Sequence, residues 1–99
     1  MVGGQTYSYL GCFKNLQNAA RVNGHLGPFT YKQCEEKASV LQRPAFGLEG
    51  PLRARTHCLL LYSEHFKMAR AIDPECEAQL DSAGHRLGSQ YRLAVYTID

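Results

Sequence analysis

The stretch from 43 to 62, RPAFGLEGPLRARTHCLLLY, constrains the chain most. It reads as two extended runs, 45–49 and 57–62, joined by a turn-rich segment that carries arginines. Two neighbouring apolar runs of that length need cover on their faces. The rest of the chain offers it, with an amphipathic segment before them and an aromatic, alternating one at the end. Cys58 lies inside the second run and Cys34 on the segment before the first, so a bridge between them would fasten one to the other.

Going back to the start, residues 5–13 alternate. Tyr7, Tyr9, Gly11 and Phe13 fall on one side, Ser8, Leu10 and Cys12 on the other, which predicts a strand. Residues 14–29 keep no period and hold Asn15, Asn18, Asn23-Gly24 and Gly27-Pro28, the residues of a long surface connection. His25 in that stretch is expected to be a solvated loop histidine. Thr30 and Gln33 then stand at the spacing of a capping box, in which hydroxyl and amide each satisfy a backbone donor at a helix start. Cys34, Ala38 and Leu41 follow at helical spacing, and Pro44 disfavours helical geometry at the residue before it. A helix from Tyr31 to about Gln42 is the expectation.

Beyond the two central runs, 63–72 suits either a short helix or a loop that carries side chains outward. Asp73-Pro74 resembles an N-cap followed by proline at the first helical position, with Cys76 and Leu80 sharing a face of the short helix after it. Gly84 and Gly88 bracket a turn. Residues 90–98 alternate again, Tyr91, Leu93 and Val95 against Arg92, Ala94 and Tyr96, as a closing strand.

Ninety-nine residues suffice for one domain with one core. The net charge is +2, with the arginines scattered, so nucleic acid is not an expected partner. The longest apolar stretch, 58–62, is far too short to cross a bilayer, and membrane insertion is not expected. Only residues 1–5 precede the first structured-looking segment, and no signal peptide is read there. That leaves a mature secreted chain given a starting methionine, or a cytosolic protein. Four cysteines in a chain this short favour the former, four buried free thiols being the alternative.

The order of these signals resembles the WSC domain, an extracellular module related in shape to the PAN/apple group. The resemblance is carried by Tyr9-Leu10-Gly11-Cys12-Phe13, Thr30 to Cys34, Phe46-Gly47-Leu48-Glu49, Cys58, Cys76 and Ala94-Val95-Tyr96. It covers about residues 7–96. That family usually carries eight cysteines where this chain has four, and Ala38, Leu60, Leu80 and Leu87 occupy the other places. All four replacements are apolar, as expected of sites that stay buried once sulfur is lost. The resemblance implies bridges Cys12–Cys76 and Cys34–Cys58, and it makes the missing bridges Ala38 with Leu60 and Leu80 with Leu87. Loops of about 25 and 65 residues would then be closed, contributing roughly 3.5 and 4 kcal/mol on the chain-entropy account.

Catalytic and metal constellations are not found. There is no C-x-x-C, and His57 beside Cys58 would point to the opposite strand face. The apolar neighbours of Cys58 suggest a buried sulfur and not a thiolate. No serine sits in a nucleophile elbow, and no glycine-rich phosphate loop appears. Glu75 and Glu77 read as the first turn of a helix, where negative charge suits the dipole. Neither enzymatic activity nor a cofactor is expected.

Recognition remains. Sugars are held by aromatic faces against their C–H surfaces, with charged or amide groups bonding hydroxyls in pairs. The leading candidates are Tyr62, His65, Phe66 and Lys67 after the central runs, with Glu49, Arg53 and Arg55 from the turn. Gln90, Tyr91 and Arg92 form a second group. Glu49 has the alternative of pairing structurally with an arginine, and Phe46 and Tyr96 are assigned to the core. The expectation is an α+β domain, one main helix packed on a small, mostly antiparallel sheet with two disulfides. The resemblance implies a secreted, carbohydrate-binding lectin for glycans or glycoproteins; because one shallow site binds sugars weakly, self-association giving several sites is expected of such a lectin. An extracellular protein-interaction domain is the alternative.

Overall fold

The structure, a computed structural model, describes residues 6–15, 24–25, 29–52, 55–62, 64 and 67–99. Its strands are β1 (Tyr7–Lys14), β2 (Gly24–His25), β3 (Ala45–Leu52), β4 (Arg55–Leu61) and β5 (Arg92–Ile98). One helix, α1 (Tyr31–Val40), and a short 3-10 turn, Asp73–Cys76, complete the described elements. The strands form one antiparallel sheet in the order β1-β5-β3-β4-β2. The expected α+β architecture is what the chain adopts.

The two central runs became the hairpin β3–β4, with Phe46 opposite Leu60 and Leu48 opposite Cys58. Alternation assigns each residue a face. Phe46, Leu48, Cys58, Leu60, Ala94 and Tyr96 point to the helix side, where Tyr31, Cys34 and Ala38 of α1 meet them. The Phe46 ring lies 5.1 Å from that of Tyr7, 5.4 Å from Tyr31 and 5.3 Å from Tyr96. Full burial of a side chain of that size stabilises by about 1.5–3 kcal/mol, and offset or edge-to-face contacts add to it. Phe46 and Tyr96 are core residues, as expected. The other sheet face carries Phe13, Ala45, Leu59, Leu61, Leu93 and Val95, with Met68 packed on it. Arg70 lays its guanidinium over the Phe13 ring, 4.8 Å from its centroid. Backbone bonds from Lys14 N–H to Ala69 O (2.7 Å) and from Ala71 N–H to Cys12 O (2.8 Å) hold this segment beside β1.

Both disulfides form as Cys12–Cys76 and Cys34–Cys58, with Cα separations of 5.8 and 5.5 Å. The second joins α1 to β4. The first ties β1 to the 3-10 turn under the sheet. Two bridges in a domain this small are compatible with an extracellular location.

Helix α1 starts with the expected capping box: Gln33 N–H donates to Thr30 Oγ1 and Thr30 N–H to Gln33 Oε1, both at 3.0 Å. Its end differs from the expectation. Gln42 takes φ +55°, Gln42 N–H donates to Ser39 O, and Arg43 N–H donates to Ala38 O. That is a Schellman termination, so the helix stops through a left-handed residue before Pro44 acts. Leu41 consequently leaves the apolar stripe and is 49% exposed.

Four further expectations are corrected. Leu10 is an extra residue in β1, since Tyr9 pairs with Tyr96 and Gly11 with Val95. This bulge exchanges the faces beyond it, so Cys12 joins Tyr7 and Tyr9 on the helix side while Phe13 faces away. His25 lies in β2, paired with Cys58, and Asn15 is fully buried, so the 14–29 stretch is not wholly a surface connection. Asp73 is the first residue of a single 3-10 turn whose N-cap is Ile72, and no longer helix follows. Leu80 is therefore 53% exposed, although Ala38, Leu60 and Leu87 lie in or against the core.

Candidate functional site

Strand direction decides which candidate residues can meet. Pairing puts Ala45 beside Thr97 and Leu61, and Lys14 beside Arg92. One end of the sheet thus holds residues 45, 61 and 97, and the other holds 14, 92 and the pair Leu52 and Arg55. Tyr62 follows β4 at the first end, while Arg55 begins β4 at the second. Seven residue steps of extended chain, roughly 23 Å, separate them. The leading group of candidates is therefore not one site. Tyr62 is 41% exposed and has the Arg43 guanidinium over its ring at 4.1 Å. Lys67 is exposed. Arg53, His65 and Phe66 lie outside the described residues, and Arg55 is described by its backbone alone.

Glu49 is a strand residue with no exposed surface, so it is not a turn group free to meet a ligand. Burying a carboxyl requires partners. Asn15 Nδ2 donates to Glu49 Oε2 at 3.3 Å, and His57 Nδ1 lies 3.6 Å from Oε1 across the β3–β4 pair. Glu49 thus has a structural place, with an amide and an imidazole among its partners where an arginine was the expected alternative. Sequence reasoning missed Asn15 because asparagine in a turn-rich stretch signals a surface position. Its burial follows only once β1 runs on beside the β5 end.

At that same end, Gln90, Tyr91 and Arg92 do come together, although Gln90 and Tyr91 form a turn and only Arg92 is in β5. Ser89 and Arg92 exchange backbone bonds at 3.1 and 3.0 Å and close a two-residue turn. Tyr91 has φ +59° and is 45% exposed. A left-handed backbone at a bulky residue costs about 1–2 kcal/mol. It is held by its own carbonyl, which accepts from Asn15 N–H at 2.9 Å and from Arg92 Nη1 at 3.0 Å. Arg92 Nε also bonds Glu75 Oε1, while Ser89 Oγ donates to Glu75 O at 2.7 Å. The hydrogen bond from Arg92 holds the Glu75 carboxyl below its usual range, against an opposing effect of burial, and the charges of Arg92 and Lys14 add to the lowering. An exposed tyrosine, an exposed amide and a row of Lys14, Glu75 and Arg92 therefore share one end of the sheet. Lys14 and Ser89 were not foreseen, because nothing in their spacing links 14 to 75, 89 and 92. Glu75 was read only as a helix-start charge.

Other polar aromatics on the helix side are turned inward. Tyr9 OH donates to Asp73 Oδ1 at 2.7 Å, under the Arg86 guanidinium 4.3 Å from the ring centroid. Burial, then that hydrogen bond, pushes the Tyr9 hydroxyl well above its usual range. Tyr31 stacks on His85 with centroids 3.7 Å apart, and His85 Nδ1 meets Asp81 Oδ2 at 2.8 Å. Burial raises the Tyr96 hydroxyl to about 12, and it donates to Arg86 O at 2.8 Å. These groups fasten the 77–87 loop to the core. Along α1, Phe29, Gln33, Glu36, Lys37, Val40 and Leu41 line an open groove of about 350 Å³.

All four sulfurs are in disulfides, so the chain offers no thiolate to a metal or a substrate. Among the described residues, no three His, Cys, Asp or Glu side chains gather as a metal site, and no helix is long and apolar enough to cross a membrane. Compared with known proteins, the sequence matches no family model and no curated protein.

Proposed function

We propose that the protein is a non-catalytic, carbohydrate-binding extracellular module of the WSC type. The observation that carries this reading is the disulfide framework. Cys12–Cys76 and Cys34–Cys58 are the two pairs that the WSC resemblance implies, and they fasten one helix to an antiparallel sheet. Such a frame holds surface groups rigidly, which suits a shallow site that cannot offset much ordering entropy on binding. Exposed tyrosines beside charged and amide groups provide the chemistry that sugars require, an aromatic face and paired hydrogen-bonding groups. A glycan array tests the reading: saturable binding, displaced by free sugar, is expected, and a flat array rejects it. Weak single sites would act together in an oligomer, so sedimentation is expected to give a mass above that of one chain.

One observation favours the alternative, an extracellular domain that binds another protein. Val40 is 75% and Leu41 49% exposed beside the groove on α1, and apolar side chains in such a position suit a protein surface. A flat array together with capture of an extracellular protein, lost on Val40→Asp, would decide for it.

A further inference from the structure

The turn at Gln90–Tyr91 holds a residue in a conformation that its own chemistry opposes. Among the described residues, four have a positive φ: Gln42, Gly84, Gly88 and Tyr91. Glycine takes two of these positions without steric cost. Gln42 terminates α1, where a left-handed residue is ordinary. Tyr91 alone has no such reason. Positive φ at only the second of two central residues is the type II pattern, a position that favours Gly or Asn. Nor does packing account for the tyrosine, since the residue is 45% exposed. The backbone beneath is nonetheless over-determined, through Asn15 N–H and Arg92 Nη1 on the Tyr91 carbonyl and the Ser89–Arg92 pair closing the turn. Strain maintained in this way points to a role for the side chain it displays.

We infer that Tyr91 is the recognition platform of this module, stacking on the C–H face of a neutral hexopyranose whose hydroxyls meet Gln90, Lys14 and the Arg92–Glu75 pair. A neutral sugar fits because the charges are already mixed: Arg92 bonds Glu75, and Lys14, the partner of Arg92 across the β1–β5 pair, adds a second positive charge at the same end. Adjacent hydroxyls can donate to a carboxylate and accept from an ammonium together, which an isolated anion cannot do. Tyr62, at the other end of the sheet, has its ring under the Arg43 guanidinium and is not part of this site. The assignment rests on the carbohydrate reading given above and names the place and class of ligand within it.

Amide NMR on the whole chain, titrated with methyl glycosides of galactose, glucose, mannose and N-acetylglucosamine and with any glycan bound on an array, tests it. Saturable shifts are expected at Lys14, Gln90, Tyr91 and Arg92. Tyr91→Asn, which suits the left-handed backbone, is expected to weaken binding about tenfold or more while leaving the thermal midpoint unchanged or higher. Tyr91→Phe keeps the ring and should keep most of the affinity. Binding retained in Tyr91→Asn, or shifts that centre on Tyr62 and vanish in Tyr62→Ala, overturns the site and leaves the carbohydrate reading standing. A lowered midpoint in Tyr91→Asn overturns the display argument, because the tyrosine would then serve the fold. A wild-type chain that binds none of these sugars overturns both.

Discussion

The Glu75 carboxylate shows how one residue can serve frame and surface together. Its side chain takes the Arg92 guanidinium, and its backbone carbonyl takes the Ser89 hydroxyl, so the turn that carries Tyr91 is held from below. Because the folded state lowers the Glu75 carboxyl, the unfolded chain binds the proton more readily. The stabilisation is therefore complete above the ordinary carboxylate range and is lost as pH falls through the lowered folded value. Urea midpoints followed from neutral pH into acid should drop more steeply in the wild type than in Glu75→Gln, and parallel curves would remove Glu75 from this role. Glu49 is a carboxyl with a different place in the fold, fully buried. In the sequence Glu49 was a turn acid with the option of an arginine partner and Glu75 a helix-start charge, yet only packing made one a buried partner of Asn15 and the other a half-exposed partner of Arg92.

Among the elements, the most legible was α1. Thr30 and Gln33 announce its start, and Cys34 and Ala38 its buried face, because capping and periodicity are local properties. Its end was less so, since a glutamine in the left-handed region carries no sequence mark. The bulge at Leu10 was illegible for a related reason: an extra residue shows only against the partner strand. Gly88 is the element-scale counterpart of Tyr91, at φ +75° where the 3-10 turn, β3 and β5 converge. Its N–H donates to Cys76 O, and an added methyl would lie 2.6 Å from Arg92 O and closer still to Leu48 O. Both neighbours are backbone and cannot swing aside. Gly88→Ala is expected to destabilise by about 3 kcal/mol, read from a urea midpoint, and a neutral result would show that the 76–88 loop gives way.

At the scale of the molecule, sulfur and grease divide the work. Cys34–Cys58 joins helix to sheet across 24 residues of sequence, and Cys12–Cys76 joins β1 to the 3-10 turn across 64. Ala38 and Leu60, apolar where the resemblance would place a further bridge, lie in the same core. Replacing Cys34 and Cys58 together by alanine should cost about 3.5 kcal/mol, and Cys12 and Cys76 roughly 4, a large part of what a domain of this size possesses. Thermal melts of the two double variants would check the order. A chain as stable without either bridge would show the apolar core to be sufficient alone.

The sequence by itself determined the helix start, the two central strands, the closing strand and, through its resemblance, which cysteines meet. Each rests on interactions between near neighbours or on a family pattern. Only the tertiary structure decided that Glu49 is buried, that Tyr62 stands at the far end of β4 from Arg55, and that Lys14, Glu75, Gln90 and Arg92 share one end of the sheet with the exposed Tyr91. Strand order and register bring residues 14, 75 and 92 together, and no periodicity along a chain encodes which distant strands will lie side by side.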